Sequence, residues 1–419
     1  MASRVTAAIV ASGSELVRGD RQDRNGPFLA ASLLRLGIEP VRITVVADEP
    51  ADLEAALREG LAHDLLVVSG GLGPTHDDRT IELLARAAGV GVHVEQPLEE
   101  AIQELSRRIA ARLNRPYGDF AAGVTKQATL PDGAHWVGLV GTAPAVVFET
   151  GACVAVALPG PPRELQQLWP RVLETEPLRR LLERSRLPER RVLRFYGVSE
   201  SAIARSLAAA GGDGDGVEVT ICARDFELHV DLFVEDGGAA QASAIERRLT
   251  DDVGQYLFTQ REVGTAELVL ELLRERGLSL ATAESCTGGL VGGRLTDVAG
   301  SSDVFVGGAI VYANAAKESQ LGVPAELLAS HGAVSAEVAA AMARGARERL
   351  GADVAVAVTG VAGPGGGSDD KPVGLVFVHA AGPMGEQSLR LDFPGDRETI
   401  RGRATVAALH VVRRLVTES

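Results

Sequence analysis

The chain has 419 residues, of which 46 % are hydrophobic and only 4 % aromatic, so small aliphatic side chains must fill the cores of about three domains. Its formal net charge of −14 argues against a general nucleic-acid or membrane-surface function, because either would require a cationic face. Three widely spaced cysteines predict neither a disulfide framework nor a thiolate metal site, and the absence of any apolar run near ~18 residues, with a strand-like start, predicts a cytoplasmic protein.

The first part of the chain alternates between strand-like and helical segments. Apolar runs at residues 5–11, 41–46 and 64–69 predict strands, and helical spacing at 28–36 and 51–61 predicts the helices between them. This alternation predicts a parallel sheet with helices on both faces.

A glycine-rich run follows the third strand directly: Gly70-Gly71-Leu72-Gly73-Pro74-Thr75-His76-Asp77-Asp78. Glycines there would let the backbone approach a phosphate closely, and Asp77 and Asp78 could hold a hard cation that shields it. A simple strand-to-helix turn explains the glycine run equally well, so this motif alone does not establish a nucleotide site.

The middle segment predicts a small α+β unit. Residues 165–182 are mostly helical in pattern, and the region of Pro188 marks a boundary. Beyond it the pattern predicts, in order, a strand at 192–197, a helix at 200–209 with Ser199 as its N-cap, strands at 217–222 and 227–234, and a helix at 240–257. His229 alternates with apolar neighbours, which indicates a surface residue of a strand rather than a ligand.

The stretch from 283 to 293, Ala-Glu-Ser-Cys-Thr-Gly-Gly-Leu-Val-Gly-Gly, is the centre of the predicted chemistry. It predicts a strand that ends in a turn and opens a helix, whose first N–H groups and partial positive charge suit an oxyanion or a phosphate. Ser285 lies on the turn and requires a base before it can act as a nucleophile. Cys286 is a rival nucleophile, but neighbours on a strand point to opposite faces, so we predict a small buried residue there.

Two later segments could complete this site. Residues 309–317 predict a strand that ends in a polar turn, and a partly neutral Lys317 could activate Ser285 directly or through Tyr312. Residues 353–367 predict a buried strand that runs into a glycine-rich loop. The other elements predicted here are helices at 265–276, 336–350 (capped by Ser335) and 396–417, and strands near 354–359, 373–380 and 387–393.

Seven segments of residues 264–419 match one family in order and register. They are Ala-Glu-Ser-Cys-Thr-Gly-Gly (283–289), Ala-Gly-Ser-Ser (299–302), Tyr-x-Asn-x-x-Lys (312–317), Gly-Ala-Val-Ser (332–335), Thr-Gly-Val-Ala-Gly-Pro-x-Gly-Gly (359–367), Lys-Pro-Val-Gly (371–374) and Gly-Asp-Arg (395–397). On these motifs the C-terminal part resembles the nicotinamide-nucleotide amidase domain of the CinA family. The resemblance implies hydrolysis of the carboxamide of nicotinamide mononucleotide to nicotinic acid mononucleotide and ammonia, without a cofactor.

The same resemblance implies a role for each matched residue. Ser285 would be the nucleophile, and Lys317 would act as general base and later as acid. Tyr312 and Ser302 would relay the proton, and Thr359 with the backbone amides around residues 287–289 would hold the oxyanion or orient the carboxamide. The implied substrate-binding residues are Thr287, Gly288, Gly289, Gly360, Arg401 and Arg403, with Arg401 or Arg403 pairing bidentately with the 5′-phosphate.

The first 170 residues carry a second set of matching segments: Gly13-Ser14-Glu15, Asp23-Arg24-Asn25, the glycine-rich run at 70–78, Lys126-Gln127-Ala128, Gly141-Thr142-Ala143-Pro144 and Leu158-Pro159-Gly160-Pro161-Pro162-Arg163-Glu164. They resemble the N-terminal domain of the same family, which has the fold of molybdopterin-binding proteins and, in several members, splits ADP-ribose with a divalent metal such as Mg²⁺. The implied nucleotide-binding residues are Gly13, Glu15, Asp23, Asn25, Gly70, Gly71, Gly73, Thr75, Lys126 and Thr142, and the implied metal ligands are Asp77 and Asp78.

The sequence departs from the family pattern at Gly138, where Asn is usual, and at Ala145, where Gly is usual. Loss of the amide side chain would remove a ligand hydrogen bond, and a Cβ at position 145 would hinder close backbone approach. Pyrophosphatase activity and a retained but inert fold are therefore both open.

We predict an α/β protein of three domains: a molybdopterin-binding-like domain at 1–170, a linker helix and KH-like domain at 171–260, and the amidase domain at 261–419. The KH-like domain would be a spacer, because no Gly-x-x-Gly nucleotide clamp is evident. The family also implies a homodimer that acts on small nucleotides. Its competence-and-damage name suggests an alternative, non-enzymatic accessory function in DNA uptake or repair, against which the acidic charge argues.

Overall fold

The structure is a computed structural model that describes residues 4–121 and 123–417. The chain divides between Pro188 and Glu189 into two compact units. The first unit contains the predicted first domain and linker helix, and the second contains the predicted middle and terminal domains. None of the described helices has an apolar stretch of the length that a bilayer crossing needs.

The first unit contains eight described strands: β1 (Thr6–Ser12), β2 (Glu39–Val46), β3 (Leu65–Ser69), β4 (Val92–Val94), β5 (Thr129–Pro131), β6 (His135–Leu139), β7 (Pro144–Thr150) and β8 (Cys153–Leu158). Its described helices are α1 (Ser14–Val17), α2 (Asn25–Arg35), α3 (Pro50–Gly60), α4 (Thr80–Ala88), α5 (Gln96–Leu113), α6 (Gly118–Ala121), α7 (Val124–Gln127), α8 (Pro162–Leu173) and α9 (Glu176–Arg184). The main sheet has the order β2-β1-β3-β8-β7-β6, and β4 pairs separately with β5.

The predicted parallel sheet is confirmed for four adjacent strands, β2, β1, β3 and β8, and the antiparallel strands β7 and β6 extend it. Alternation along β1 explains the layers. Ala8 and Val10 pack into a cluster with apolar residues of α3, α4 and α5, whereas Ala7 and Ile9 pack with those of α2, α8 and α9. Helices therefore cover both faces of the sheet, as the sequence predicts.

The middle part of the second unit contains the strands β9 (Glu189–Phe195), β10 (Val217–Arg224), β11 (Glu227–Val234) and β12 (Leu257–Thr259) with the helices α10 (Glu200–Ala209) and α11 (Ala239–Val253). The strands form an antiparallel sheet of order β10-β11-β9-β12. Ser199 caps α10 as predicted, because its hydroxyl accepts a hydrogen bond from the amide of Ala202. The predicted helix at 240–257 is too long: α11 ends at Val253, and the chain then adds the edge strand β12 beside β9.

The terminal part contains the strands β13 (Leu280–Glu284), β14 (Phe305–Ile310), β15 (Val354–Gly360), β16 (Leu375–Gly382) and β17 (Gly385–Asp392). Its helices are α12 (Thr265–Glu275), α13 (Leu290–Thr296), α14 (Asn314–Leu321), α15 (Ala325–His331), α16 (Ala336–Leu350) and α17 (Arg397–Thr417). The sheet order is β14-β13-β15-β16-β17, with β14, β13 and β15 parallel and the last two strands antiparallel.

Small residues on one face of β13 and larger ones on the other set the layers of this part. Ala281 and Ala283 pack into a cluster with apolar residues of α14, α15 and α16, whereas Leu280 packs with those of α12, α13 and α17. Helix α16 has the predicted bounds, and Ser335 caps it by accepting from the amide of Val338. The result is a sheet whose carboxyl edge is open for a site.

Candidate active site

Ser285 follows β13 directly, at the carboxyl end of the three parallel strands. The neighbours of β13 are β14 on one side and β15 on the other, so the connections that leave the ends of these strands diverge. Such a switch point leaves a crevice outside the carboxyl ends of the strands. The crevice is the place at which the structure brings together segments that lie far apart in the sequence.

Ser285 and Lys317 meet in this crevice although 32 positions separate them: the Oγ and Nζ atoms lie 3.1 Å apart. The amine also donates to the carbonyl oxygen of Val311 at 2.8 Å and to that of Tyr312 at 3.3 Å. Lys317 is only 1 % exposed, and this burial lowers the pKa of its amine because it disfavours the charged form. In the neutral form the two carbonyls would occupy its two N–H groups, which leaves the lone pair for the Ser285 hydroxyl.

Cys286 is 4 % exposed and belongs to the apolar cluster beneath the sheet. Burial raises the pKa of its thiol to about 11, so the thiolate is scarce near neutral pH. The prediction of a small buried residue is confirmed, and the rival nucleophile lacks the environment that would activate it.

Glu284 holds the turn in a way that sequence reasoning missed. Its buried carboxylate accepts from the amides of Gly289 at 2.9 Å, Val291 at 3.1 Å and Gly292 at 2.9 Å. Since an internal carboxylate occupies the start of α13, the predicted phosphate or oxyanion site at this helix end is wrong. An acidic residue directly before a small-residue turn and a helix is a capping signal that could have identified it.

Fewer backbone amides around residues 287–289 are available to an oxyanion than the sequence predicts, because some already have acceptors. The amide of Gly288 donates to the carbonyl of Ser285 at 3.2 Å, and that of Gly289 is held by Glu284. Within the described residues, the amides of Cys286 and Thr287 donate to no oxygen, and their contact is with the buried sulfur of Cys286. Glycine is required at 288 and 289, where φ is 60° and 97°, because the tight turn uses left-handed backbone.

Tyr312 reaches Lys317 only through its carbonyl oxygen. Its side chain is 60 % exposed, and its hydroxyl accepts from a guanidinium N–H of Arg397 at 2.9 Å. Arg397 also donates to the carbonyl of Gly363 at 2.7 Å, so it joins the end of β14 to the loop after β15. The predicted phenol relay between Lys317 and Ser285 is therefore not formed, and Arg397, from the matched Gly-Asp-Arg segment, is a site residue that the sequence analysis did not single out.

Ser302 does not belong to this site. It is exposed and lies in a 3₁₀ turn, Ser301–Asp303, that precedes β14, at the amino end of the parallel strands. Phe305 pairs with Leu280 at that end, and five residues of β13, about 16 Å of strand, separate Leu280 from the Ser285 turn. The predicted relay through Ser302 within one chain is wrong for this geometric reason.

The two predicted phosphate-binding arginines, Arg401 and Arg403, lie on different sides of helix α17. Arg401 donates from Nε to the carbonyl of Cys286 at 3.1 Å and from Nη2 to that of Thr287 at 2.7 Å, so it fixes the turn. Arg403 lies about 200° further around the same helix, over the rings of Phe226 at 5.5 Å and Phe393 at 6.0 Å. Only Arg401 joins the crevice, and its committed Nε and Nη2 leave no bidentate face for a phosphate.

The other predicted residues lie at the end of β15 and in the Ser285 turn. Thr359, fully buried at the end of β15, donates its hydroxyl to the carbonyl of Ala333 at 2.7 Å, so this group can only accept from a ligand. Gly360 follows it, and a Cβ there would lie 2.8 Å from the carbonyl oxygen of Leu375. The hydroxyl of Thr287 is buried and has no partner among the described residues.

The first unit has its own polar cleft, of about 890 Å³, at the carboxyl ends of β1 and β3. Most of the predicted nucleotide-binding and metal-ligating residues line it: Gly13, Glu15, Asp23, Asn25, Gly70, Gly71, Gly73, Asp77, Asp78 and Thr142. Lys126 lines a smaller neighbouring recess and donates to the carbonyl of Thr75, which ties these two residues together beside the cleft. The structure also adds Asp48 and Glu164, which the sequence analysis did not single out.

Asn25 connects two segments that line the cleft. Its amide nitrogen donates to the hydroxyl of Ser69 and to the carbonyl of Gly160, both at 2.7 Å. The residue is 6 % exposed, and its Oδ1 is buried without a partner in the described part of the chain. Asp23 caps the same helix start by accepting from the amides of Asn25 and Gly26.

The acids of the cleft do not form a ready metal site. Asp78 accepts from the amide of Thr75 at 2.9 Å, and the hydroxyl of Thr75 lies between Asp77 and Asp78, to one of which it can donate its single hydrogen. Across residues 4–121 and 123–417, no three His, Cys, Asp or Glu side chains converge as a metal ion would require. The side chains present do not fit the implied divalent cation, so we assign no step to one.

The departures at Gly138 and Ala145 lie away from the cleft. These residues pair with each other on the β6–β7 hairpin, and Ala145 is fully buried in the apolar cluster on the α8 face of the sheet. The loop between them supplies Thr142 and Ala143 to the cleft instead. The expectation that a Cβ at 145 would hinder backbone approach to a ligand is therefore wrong, because this Cβ points into the core.

Two family models match the chain: the CinA C-terminal domain at residues 263–416 and the probable molybdopterin binding domain at residues 8–180. A CinA-like protein of Mycobacterium sp. (strain MCS) is 44 % identical over 98 % of this chain and 99 % of its own, and one of Mycobacterium marinum is 41 % identical over all of both. Among solved structures, the competence/damage inducible protein CihA from Agrobacterium tumefaciens is 42 % identical over 38 % of this chain and 99 % of its own, with a TM-score of 0.35. The chain therefore belongs to the CinA family, with a molybdopterin-binding-like domain before the CinA C-terminal domain.

Proposed function

We propose that the second unit hydrolyses the carboxamide of nicotinamide mononucleotide, with Ser285 as nucleophile and Lys317 as base. One observation carries this proposal: a buried amine with a lowered pKa lies 3.1 Å from a serine hydroxyl and is held by two carbonyl oxygens. A neutral lysine in this position can accept the hydroxyl proton as the oxygen attacks the carbonyl carbon. The resulting ammonium can then protonate the leaving nitrogen, which departs as ammonia and leaves an acyl-serine. A water molecule, deprotonated by the again neutral Lys317, would then attack this ester, and the proton would return to Ser285 Oγ as nicotinic acid mononucleotide is released.

The turn around Ser285 supplies the other elements of amide hydrolysis. The amides of Cys286 and Thr287 donate to no oxygen of the described residues and contact only the weak acceptor Sγ of Cys286, so they would be the donors that stabilise the oxyanion of the tetrahedral intermediate. Arg401 and Glu284 keep this turn rigid from its two sides, so the donors are oriented before the substrate binds. The guanidinium groups of Arg397 and Arg401 at the crevice give the substrate phosphate a cationic neighbourhood.

The test is release of ammonia from nicotinamide mononucleotide by the purified full chain. We expect Ser285→Ala to lower kcat by at least about 10³-fold, because removal of a covalent nucleophile leaves only binding and oxyanion stabilisation. The matched variant Cys286→Ala should keep at least about a third of the activity, since its thiol is buried and protonated. A folded Ser285→Ala protein with full activity would refute the assignment.

The cleft of the first unit supports a second candidate function, hydrolysis of ADP-ribose. The supporting observation is the unpartnered Oδ1 of Asn25 in a cleft with a glycine-rich backbone at residues 70–73, where a phosphate or ribose could bind closely. The assay is AMP formation from ADP-ribose, with added Mg²⁺ and with chelator. Loss of AMP formation in Asp78→Asn, with ammonia release unchanged, would support a separate site in the first unit; no AMP under either condition would refute it.

A further inference from the structure

The second unit contains a cavity of about 960 Å³ between its middle sheet and helix α17. This volume lies within the range of small-molecule sites. The cavity belongs neither to the Ser285 crevice nor to the cleft of the first unit, because none of its lining residues is shared with either. Its lining includes aromatic rings and guanidinium groups, beside aliphatic side chains and two acids.

Two of the arginines that line the cavity, Arg403 and Arg414, form no ion pair with its acids within the described part of the chain. The Nε atoms of Arg403 and Arg414 are buried and have no acceptor among the described residues. Both acidic residues that line the cavity are engaged elsewhere: Glu227 with His410 at 2.8 Å, and Asp225 with Arg294 at 2.7 Å. A buried donor without an acceptor is unfavourable, so these two guanidinium groups are suited to an anion that enters the cavity.

The aromatic wall is held in place before any ligand binds. Phe226 lies on the β10–β11 turn at a φ of 64°, unusual for a bulky residue, and its ring lies below the guanidinium of Arg403. A Cβ at position 402 would lie 2.7 Å from this ring, so glycine there allows the close approach. Tyr196 stacks on His410 with ring centroids 3.8 Å apart and nearly parallel planes.

We propose that this cavity binds a nucleoside monophosphate, with its phosphate on Arg403 and Arg414 and its base along the wall formed by Tyr196, Phe226 and Phe393. Two guanidinium groups match the charge of a phosphate monoester dianion, and a flat base can stack on rings and guanidinium planes. A simple carboxylate or inorganic phosphate would leave the aromatic wall unused. Helix α17 carries Arg401 of the crevice and Arg403 of the cavity on opposite sides, so one helix contacts both sites.

The first experiment is calorimetric titration of the full chain with AMP, adenosine and inorganic phosphate. We expect AMP to bind at least about tenfold more tightly than either fragment, because only AMP engages both kinds of group. The double variant Arg403→Gln/Arg414→Gln should weaken AMP binding at the cavity at least about tenfold, whereas Arg390→Gln, an exposed position on β17, should leave it unchanged. Phosphate binding as tight as that of AMP would overturn the proposal.

A second measurement needs no variant and separates this cavity from the other two sites. Hydrogen exchange of the wild-type chain with saturating AMP should show added protection in the turn at 223–227 and in α17 at 402–414. A third measurement uses the variant Phe226→Leu. It should reduce the ratio of AMP affinity to phosphate affinity without loss of the folded state. Binding of AMP without protection in these two segments, or an unchanged isotherm in the folded double variant, would overturn the proposal.

Discussion

The Ser285 crevice and the cleft of the first unit both lie at the carboxyl ends of parallel strands, yet they organise their polar groups in opposite ways. In the crevice a single amine is buried, and its partners are a hydroxyl and two carbonyl oxygens. In the cleft several carboxylates surround a wide, solvated space of about 890 Å³. The hydroxyl of Thr75 holds the pKa of Asp77 below its usual range, so this acid stays ionised.

The difference shows how burial changes the pKa, and so the protonation state, of the ionisable groups in each site. Desolvation lowers the pKa of the Lys317 amine and so favours its neutral form beside the Ser285 hydroxyl. In the cleft, burial raises the pKa of Glu164. The crevice thus holds a neutralised amine against a hydroxyl, whereas the cleft presents acids and glycine-rich backbone to solvent.

Replacement of Lys317 by Met should lower the rate of ammonia release more than Glu284→Gln or Ser302→Ala. If it did not, the contrast between the buried amine of the crevice and the solvated acids of the cleft would not explain reactivity. Met fills a similar volume without a proton acceptor, so we expect kcat/KM for ammonia release from nicotinamide mononucleotide to fall at least about 10³-fold. AMP formation from ADP-ribose in the first unit, where it occurs, should be unchanged. A folded variant within about tenfold of wild type would exclude Lys317 as the base.

The next largest effect should be the pH dependence of ammonia release, which depends on the protonation state of Lys317. The reactive form of Lys317 is the neutral amine, so kcat/KM of the amidase should rise with pH, about tenfold per pH unit below the pKa of the amine. Because burial lowers this pKa, the plateau should begin below the ordinary lysine value. The measurement is initial ammonia release from roughly pH 6 to pH 9. A rate that falls steadily across this range would contradict a neutral lysine base.

Glu284→Gln should have a smaller effect that tests whether the turn is pre-organised. The carboxylate accepts three amide hydrogen bonds, and a neutral amide with one acceptor oxygen would leave buried donors unpaired, at a cost of about 1–3 kcal/mol. We expect faster hydrogen exchange at residues 284–292 and reduced amidase activity. The exposed Glu318→Gln is the matched control and should change neither. Tryptophan fluorescence is unsuitable, because Trp136 and Trp169 both lie in the first unit.

Ser302→Ala should have the smallest effect. The residue is exposed at the opposite end of the parallel strands from Ser285, so within one chain it cannot relay a proton to the crevice. Ammonia release should stay within about twofold of wild type, as expected for a surface substitution. A loss of an order of magnitude would show that position 302 enters a site in some other way, and the assignment of a self-sufficient crevice would then need revision.

Sequence patterns predicted most elements because local rules decide them. Helix α16 has the predicted bounds and its Ser335 cap, and the strand predicted near 354–359 is confirmed as Val354–Gly360. The same rules failed where tertiary contacts intervene. The predicted helix at 240–257 ends at Val253, and residues 257–259 form a strand because β9 offers an open edge.

The sequence by itself determined which residues carry reactive groups: a serine on a strand-to-helix turn, a lysine after an edge strand, and a glycine-rich acidic run in the first domain. Only the tertiary structure decided which of these groups meet. Parallel pairing of β13 with β14 brings the amine of Lys317 to the hydroxyl of Ser285 and puts Ser302 at the far end of the same strands. Register and burial arise from contacts between distant segments, and these contacts determine both the 3.1 Å approach and the lowered pKa that makes it useful.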